Sequence, residues 1–322
     1  MAKDVSFASF NLYNFQYRGL RARGELISDQ AYWEKVHWVR EKLLEIDADV
    51  VALQELWDKR CLEDVLDDPR LADYRPYYIA DEWYDIAVAA IVRRPWQVRH
   101  KHTIKDFPFS QLTKIDEADG LDDELEVNIT RFSRTVLRLK LEYPGSRSTP
   151  HIMVFCAHLK AKLPSTIRRG VPRQQRDAVG TAISTIRRTA EAVALRWFLN
   201  EHMRGPDATP TVVLGDLNDD PRSNTIAILS EEPTMTTASR GTQGGLYSSL
   251  LLQQLKSFRD VYYTHEFKSR RDAIDHIFVS REFFEHAQGR KWKLKDLRIW
   301  NDHIHAKHRH TSDHGIICAK FT

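Results

Sequence analysis

Cysteine is scarce in this sequence, and its scarcity excludes two kinds of structure. The chain contains three cysteines, Cys61, Cys156 and Cys318. An odd, widely spaced set of this kind forms neither a disulfide framework nor a zinc-binding pattern. Cys156 and Cys318 each lie in an apolar run, which predicts buried thiols.

Long apolar segments are also missing. No segment approaches the roughly 20 apolar residues that a membrane-spanning helix needs. The N-terminus enters a strand-like pattern at once, without the basic region and apolar run that are typical of a signal peptide. We therefore expect no membrane span and a cytoplasmic location, with secretion left open because a signal could have been removed.

A strong charge of either sign is absent as well. The net charge of +3 is too small to indicate a nucleic-acid-binding protein, so only local clusters of charge could do so. The content of 42% hydrophobic and 29% charged residues fits a globular protein with a substantial core. No internal repeat or low-complexity linker interrupts the chain. Residues 1–322 are therefore predicted to form a single domain, with no protein partner or oligomeric state indicated.

Short apolar runs alternate with helical patterns along the chain, which is typical of an α/β protein. Strands are predicted over residues 5–10, 49–55, 74–80, 86–92, 97–104, 130–142, 152–159, 211–214, 272–279 and 316–321. Helices are predicted over residues 31–46, 62–66, 174–202 and 223–230. Ser28 and Asp29 are expected to cap the first helix. After the strand 211–214, Asp220 is predicted to be the N-cap of a helix and Pro221 its first residue.

Polar residues follow several of these strands at the point where each strand ends. Layered α/β folds usually bind their ligands at such ends, so we expect these side chains to lie together. They are Asn11, Glu55, His158, Asp216, Asn218, Asp275, Asp313 and His314.

The chemistry of this set indicates metal-assisted hydrolysis of a phosphoester. Carboxylates such as Glu55 and Asp313 suit Mg²⁺ or Mn²⁺ better than zinc, and such a cation neutralises phosphate charge and supports the leaving oxygen. Asp216 can align an attacking water, and Asn218 can donate to a phosphoryl oxygen. The set offers no serine or cysteine suited to a covalent route.

Two basic segments are candidates for binding a polyanion. The first begins after His158 and carries Lys160, Lys162, Arg168, Arg169, Arg173 and Arg176, and it is the better phosphate-binding candidate. The second, residues 12–27, interleaves Tyr13, Phe15 and Tyr17 with Arg18, Arg21 and Arg23. These residues could stack on bases and hold phosphates, or they could pack on the core and face solvent.

Two other polar segments are interpreted as exposed loops. One is the acidic run between residues 116 and 126, which matches no calcium-binding motif. The other contains His303, His305, His308 and His310.

The strand-end motifs resemble the endonuclease/exonuclease/phosphatase superfamily, the fold of deoxyribonuclease I. The motifs are Ser9-Phe10-Asn11, Leu53-Gln54-Glu55, Ala157-His158-Leu159, Gly215-Asp216-Leu217-Asn218, Ile274-Asp275-His276-Ile277 and Ser312-Asp313-His314. They occur in the family's order and span nearly the whole chain. The resemblance implies a four-layer α/β/β/α sandwich of two packed mixed sheets flanked by helices, with the active site at the strand edges.

The resemblance also implies a role for each of these residues. Glu55 would be the principal metal ligand, supported by Asn11 and Asp313, although Asn14 is a rival for Asn11. Asp216 and Asn218 would handle the water and the phosphate. Asp275 would pair with His314 as the general base, and His158 would contact the phosphate as in deoxyribonuclease I-like and sphingomyelinase-like enzymes.

The sequence departs from the motifs of two branches of this superfamily, and these departures narrow the expected class of substrate. A tyrosine usually stands at the position of His158 in the exonuclease III branch. Inositol polyphosphate 5-phosphatases usually place tyrosine and arginine where Asp219 and Asp220 stand. The Gly-Asp-Leu-Asn-Asp-x-Pro form resembles bacterial nucleases of the superfamily. We therefore expect a Mg²⁺-dependent nuclease, with Mn²⁺ as the other candidate ion, that acts on nucleic acid, most readily DNA, and binds it through Lys160, Arg168, Arg169 and Arg173.

Two alternatives stay open at this point. The first is a phosphodiesterase of the same fold that acts on a small molecule or a lipid, for which the Trp83-Tyr84 pair or the segment of Trp292 and Trp300 would be the membrane-contacting candidates. The second is a non-catalytic binding protein, which is disfavoured because every expected catalytic position is filled.

Overall fold

The computed structural model describes residues 2–79, 86–110, 112–113, 126–167, 170–257, 263–305 and 310–322. Its strands are β1 (Val5–Phe15), β2 (Arg21–Ala22), β3 (Glu25–Leu26), β4 (Val50–Leu56), β5 (Tyr74–Tyr78), β6 (Ala87–Arg93), β7 (Gln97–Asp106), β8 (Leu112–Thr113), β9 (Glu126–Val127), β10 (Arg131–Glu142), β11 (Ile152–His158), β12 (Thr211–Asp216), β13 (Tyr247–Ser248), β14 (His265–Phe267), β15 (Arg270–Asp272), β16 (Asp275–Val279), β17 (Leu294–Trp300) and β18 (Ile316–Phe321). Its α-helices are α1 (Asp29–Ile46), α2 (Lys59–Leu66), α3 (Arg176–Met203), α4 (Asn224–Ser230) and α5 (Ser249–Lys256). Short 3-10 helices cover Pro69–Leu71, Arg173–Gln175, Arg281–Phe283 and Asp302–His305.

Two mixed six-stranded sheets form the centre of the fold. The first has the strand order β17-β18-β1-β4-β6-β5, and the second has the order β13-β16-β12-β11-β10-β7. In each sheet one central pair is parallel, β1 with β4 and β11 with β12, and the other neighbours are antiparallel. The parallel pairs bring the carboxyl ends of four strands to the same region of the molecule.

Three apolar clusters separate the layers. The cluster between the sheets contains Phe7 of β1 and Leu214 of β12. A second cluster packs α1 and α2 on the first sheet, and a third packs α3 and α4 on the second. This confirms the predicted four-layer α/β/β/α sandwich. Because β12 lies inside a sheet with both faces covered, every one of its residues is buried, which explains its unbroken apolar run.

Several predicted elements differ from the structure in their bounds. Asp220 is not a helix cap and Pro221 is not the first residue of a helix. The Asp220 Oδ1 accepts a hydrogen bond from the Arg222 N–H in a turn, and α4 begins at Asn224 with Ser223 as its N-cap. The predicted strand 272–279 is interrupted at residues 273–274, since β15 ends at Asp272 and β16 begins at Asp275. At this interruption the Thr264 hydroxyl accepts hydrogen bonds from the N–H groups of Ile274 and Asp275.

Other parts of the structure have no counterpart in the prediction. The strand β17, the helix α5 and the hairpin of β14 and β15 were not predicted, because their sequences carry weak periodicity and are held by contacts with distant segments. The acidic run between residues 116 and 126 lies almost entirely outside the described residues. All three cysteines are buried free thiols. Among the described residues, no helix combines the length and the apolar character required to cross a bilayer.

Candidate active site

Three polar side chains lie next to one another at an edge of the second sheet. Strand pairing sets His158 of β11 beside Asp216 of β12, and Asp216 beside Asp275 of β16. Residues that pair directly across neighbouring strands project to the same face of a sheet. All three are buried. The register of the strands therefore collects three of the predicted site residues.

Asp216 is the centre of this group. Its Oδ2 accepts a hydrogen bond from Asn11 Nδ2 at 3.0 Å. The same oxygen lies 3.4 Å from His158 Nε2 and 3.8 Å from His314 Nε2. Since Asn11 belongs to the first sheet, the contact of Asn11 with Asp216 joins the two sheets at the site.

His314 is held by contacts to both its ring and its backbone. Its Nδ1 donates to Asp275 Oδ2 at 2.9 Å, so its Nε2 is the ring nitrogen nearer to Asp216. The His314 N–H donates to the Ser312 hydroxyl at 3.0 Å, and that hydroxyl donates to the carbonyl oxygen of Asn11 at 2.7 Å. The structure thus forms the Asp275–His314 pair that the family resemblance implies.

The burial and the charges of the site shift the pKa values of its two imidazoles in opposite directions. Burial alone would lower the pKa of His314, but the carboxylates of Asp275 and Asp216 outweigh it and raise that pKa well above its ordinary value. Burial, followed by the positive charges of Arg134 and His314, lowers the pKa of His158 well below its ordinary value. Burial raises the pKa of Asp216. The two imidazoles therefore differ in proton affinity, and His314 has the higher affinity of the two.

The backbone around Asp216 explains the Gly-Asp-Leu-Asn motif. Gly215 has a φ of +145°, and a Cβ at this position would lie 1.8 Å from the carbonyl oxygen of Ala157, so only glycine fits between β11 and β12. Asn218 adopts a φ of +56°. Its N–H donates to Asp216 Oδ1 at 2.9 Å, and its Nδ2 donates to the carbonyl oxygen of Leu159 at 3.1 Å. One N–H of the Asn218 amide is therefore engaged in positioning the strand end.

Glu55 lies at the end of β4, next to the loop that follows β1. Its φ is +57°, a conformation that is uncommon for a residue other than glycine and that is concentrated at functional sites. Glu55 Oε2 accepts a hydrogen bond from the Asn14 N–H at 2.9 Å. The Asn14 side chain accepts from Arg23 Nε and Trp57 Nε1. Asn14 thus supports Glu55, whereas Asn11 contacts Asp216.

The donor set fits a hard divalent cation. The carboxylates of Glu55 and Asp313 both lie near the Lys35 ammonium group, and oxygen donors of this kind suit Mg²⁺ or Mn²⁺. Two groups of side chains offer ligand atoms that all lie within 4.8 Å of one another. They are Asp216, Asp275 and His314, and His265, Asp313 and His314. The metal-ligand roles of Asn11, Glu55 and Asp313 stay predictions.

Arg134 is a site residue that the sequence analysis missed. It lies on β10, and its Nη1 donates to the carbonyl oxygen of Leu159 at 2.8 Å. Burial lowers the pKa of Arg134, although the carboxylates of Asp216 and Glu191 act in the opposite direction. The available signal was an arginine at an apolar position of a strand, between Phe132 and Val136, both of which are buried.

One turn of α3 holds the ends of the neighbouring strands. Glu191 is buried, and its two carboxylate oxygens accept the N–H groups of Ser133 at 2.8 Å and Lys160 at 2.7 Å. Arg188 Nε donates to Asp219 Oδ2 at 2.9 Å, and its Nη1 donates to the carbonyl oxygen of Lys160 at 3.3 Å. Asp219 therefore anchors the segment after Asn218 to α3.

The predicted substrate-binding cations are only partly described. Lys160 is half-buried beside the site; burial and then the charge of Arg134 lower its pKa. Arg173 is exposed in the 3-10 turn that precedes α3. Arg168 and Arg169 lie outside the described residues. The substrate-binding roles of these four residues stay predictions.

Two interpretations of aromatic and histidine residues need correction. His303 is not part of an exposed loop: it is buried, and its Nε2 donates to the carbonyl oxygen of His314 at 2.7 Å. Trp292 does not form an exposed aromatic surface, since it stacks on Phe283 in the core. Trp300, the partner candidate in that segment, is half-buried against the cluster of the first sheet. The remaining membrane-contacting candidates, Trp83 and Tyr84, lie outside the described residues.

Comparisons with known proteins agree with this architecture. The model of the Endonuclease/Exonuclease/phosphatase family matches residues 8–314. No curated protein matches the sequence at a significant level.

Solved structures of similar fold include an endonuclease/exonuclease/phosphatase from Bacteroides vulgatus, with 17% identity and a TM-score of 0.58. They also include D. rerio TDP2 complexed with a single-strand DNA product, with 16% identity and a TM-score of 0.55. A mannosyl-6-phosphatase from Bacteroides thetaiotaomicron has 17% identity and a TM-score of 0.55. In each case the alignment covers 99% of both chains. At this level of identity the likeness shows the fold alone.

Proposed function

This chain belongs to the endonuclease/exonuclease/phosphatase family, a family of phosphoester hydrolases, and we propose that it is a divalent-metal-dependent phosphodiesterase that hydrolyses DNA. The observation that carries the proposal is the position of the Asp275–His314 pair, whose free ring nitrogen lies 3.8 Å from Asp216 Oδ2. An imidazole oriented by one carboxylate beside a second carboxylate is suited to activating a water molecule.

The proposed reaction is an in-line attack of water on phosphorus. Asp216 aligns the water, and His314 Nε2 takes its proton as the new P–O bond forms and the bond to the leaving oxygen breaks. The carboxylates of Asp275 and Asp216 stabilise the imidazolium that His314 becomes. His158 stays neutral and faces the phosphate as a hydrogen-bonding group, and Asn218 contributes an amide N–H to a phosphoryl oxygen.

Glu55 and Asp313, with Asn11, would hold the metal ion in this proposal. Mg²⁺ or Mn²⁺ bound there would neutralise phosphate charge and support the leaving oxygen. The carboxylate oxygens of Glu55 and Asp313 are the donors that such ions prefer.

DNA is the substrate that we favour because cations accumulate around the site. The charge of Arg134 acts on Asp216, its Nη1 donates to the carbonyl oxygen of Leu159, and Lys160 is the next residue in the chain. Phosphate neutralisation by lysine and arginine supplies most of the non-specific affinity for nucleic acid. The complex of D. rerio TDP2 with a single-strand DNA product shows that a protein of similar fold binds DNA.

A second candidate is a phosphatase or phosphodiesterase for small molecules. The similarity of the fold to a mannosyl-6-phosphatase favours it. The sphingomyelinase-like alternative has lost one of its supports, because Trp292 is buried.

One substrate panel separates these candidates. Purified protein with Mg²⁺ is incubated with circular DNA, linear DNA, RNA, a generic phosphodiester and mannose 6-phosphate. Our proposal expects DNA cleavage that a chelator abolishes. Turnover of the small phosphoesters alone, with both DNA forms intact, would contradict the assignment of DNA as substrate.

A further inference from the structure

The loop between β1 and α1 brings a cation to the predicted metal ligand Glu55. Strands β2 and β3 pair as a tight hairpin whose turn residues, Arg23 and Gly24, have φ values of +47° and +91°. Positive φ at both turn residues is typical of a type I′ hairpin turn, where an arginine is uncommon. Arg23 Nε donates to Asn14 Oδ1 at 2.8 Å, and its Nη2 lies 3.8 Å from Glu55 Oε1.

A cavity of about 480 Å³ lies between this hairpin and the start of α1. Its lining includes Tyr13, Asn14, Arg23, Leu26, Ala31 and Lys35. The volume falls within the range of ligand pockets in proteins. Because Asn14 and Arg23 also contact Glu55, the cavity opens beside the predicted metal ligand.

The floor of the cavity is fixed by Lys35. This residue is buried, and its ammonium group donates to the carbonyl oxygens of Tyr13 at 2.8 Å and Thr311 at 3.4 Å. These bonds tie the end of β1 to the segment that carries Asp313 and His314. The cavity is therefore held in a defined position relative to the general base.

The aromatic and basic residues of this loop divide into two sets. Tyr17 and Arg18 have partners in the fold: Tyr17 packs on Tyr32 and lies under the guanidinium of Arg60, and Arg18 lies over the rings of Tyr17 and Trp33. Tyr13 has the Lys35 ammonium group 5.6 Å from its ring centroid, but 41% of the residue is exposed at the cavity and its φ is +49°. Backbone conformations of this uncommon kind are concentrated at active sites and ligand-binding segments.

We propose that this cavity is a nucleoside subsite, in which Tyr13 stacks on the base and Arg23 contacts the phosphate attached to that nucleoside. The inference rests on the proposed function and deepens it by naming the group that is bound beside the reacting phosphate. A base offers a planar ring to Tyr13 and hydrogen-bonding edges to the amide of Asn14. A nucleotide also places its phosphate on the side of the cavity where Arg23 meets Glu55.

The test compares two chromogenic diesters in the presence of Mg²⁺. Thymidine 5′-(p-nitrophenyl phosphate) carries the nucleoside, and methyl p-nitrophenyl phosphate does not. Base stacking on an aromatic side chain corresponds to an affinity change of about 5- to 150-fold. Tyr13→Ala should reduce the preference in kcat/KM for the nucleoside diester by that factor, whereas Tyr13→Phe, which keeps the ring, should not.

Two further variants distinguish a loss of the subsite from a general loss of activity or of folding. Ala31→Phe fills the cavity from α1 and should abolish the preference while leaving turnover of the methyl diester. Arg18→Ala alters a cation of the same loop whose contacts are with Tyr17, Trp33 and Asp29, and it should change neither rate. A thermal unfolding curve for each variant shows that it is folded.

The possible outcomes test the nucleoside subsite and the proposed function separately. An unchanged preference in both Tyr13→Ala and Ala31→Phe overturns the subsite, even if the enzyme cleaves both diesters. If neither diester nor DNA is hydrolysed, the proposed function fails, and the subsite is tested by calorimetric binding of thymidine 5′-monophosphate to the wild type and to Ala31→Phe. Binding that is lost in Ala31→Phe supports the subsite. Absence of binding, or binding of mannose 6-phosphate in its place, contradicts it.

Discussion

Glu191 offers a demanding test of how α3 organises the site. Its two carboxylate oxygens accept the N–H groups of Ser133 and Lys160, which belong to the segments around β10 and β11. Ser133 precedes Arg134, and Lys160 follows the carbonyl group to which Arg134 and Asn218 donate. Replacing Glu191 by alanine removes both bonds and leaves two N–H groups without their acceptor.

The expected loss of stability follows from these two bonds. A hydrogen bond to a charged group contributes about 1.5–3 kcal/mol, so Glu191→Ala should destabilise the protein by about 3–6 kcal/mol. With an unfolding entropy of about 2.1 cal/mol/K per residue, the melting temperature of this 322-residue chain should fall by about 4–9 °C. Glu191→Gln keeps one acceptor oxygen and should lose about half of that.

Calorimetry or circular dichroism measures these shifts directly. Glu201→Ala is the matched control, because it removes an exposed carboxylate of the same helix and should change stability by less than about 0.5 kcal/mol. The interpretation of Glu191 as a buried anchor is refuted if Glu191→Ala and Glu201→Ala unfold at the same temperature.

Three further predictions concern the site itself. Gly215→Ala should destabilise the fold by more than about 3 kcal/mol, since the new Cβ would clash with the carbonyl oxygen of Ala157 and alanine is strained at this φ. Denaturant unfolding measures the loss of stability, and a variant as stable as the wild type would disprove the close approach. Arg134→Ala should raise KM for DNA by about 10- to 100-fold, the cost of one charge-assisted contact, and Arg134→Lys should have an intermediate KM. Steady-state kinetics in which kcat falls and KM stays constant would argue against a substrate contact. His314→Ala should lower kcat by several orders of magnitude in a folded protein, and near-full activity would remove His314 from the role of general base.

The features that could be predicted from the sequence depend on local pattern. Glu55 and Asp216 each follow a short apolar run, so their positions at strand ends are visible without a structure. The order of such motifs indicated the family, and the family and the four-layer fold are confirmed. The assignment of residues 1–322 to a single domain stays a prediction.

The features that could not be predicted depend on contacts between distant segments. Glu191 looks like one of several charges on a long helix, and only its bonds to Ser133 and Lys160 distinguish it. His303 lies in a histidine-rich segment that suggested an exposed loop, but it is buried against the backbone of His314. No periodicity in the chain indicates either contact, because the partner atoms belong to backbone groups elsewhere.

The most direct test of the proposed chemistry is the hydrolysis of linear DNA by the wild type and by Asp216→Ala, each with Mg²⁺ and after chelation. We predict rapid cleavage by the wild type with Mg²⁺, none after chelation, and a loss of several orders of magnitude in Asp216→Ala. Cleavage by the wild type that persists in chelator, or an Asp216→Ala variant that cleaves at the wild-type rate, would contradict a metal-dependent site centred on Asp216.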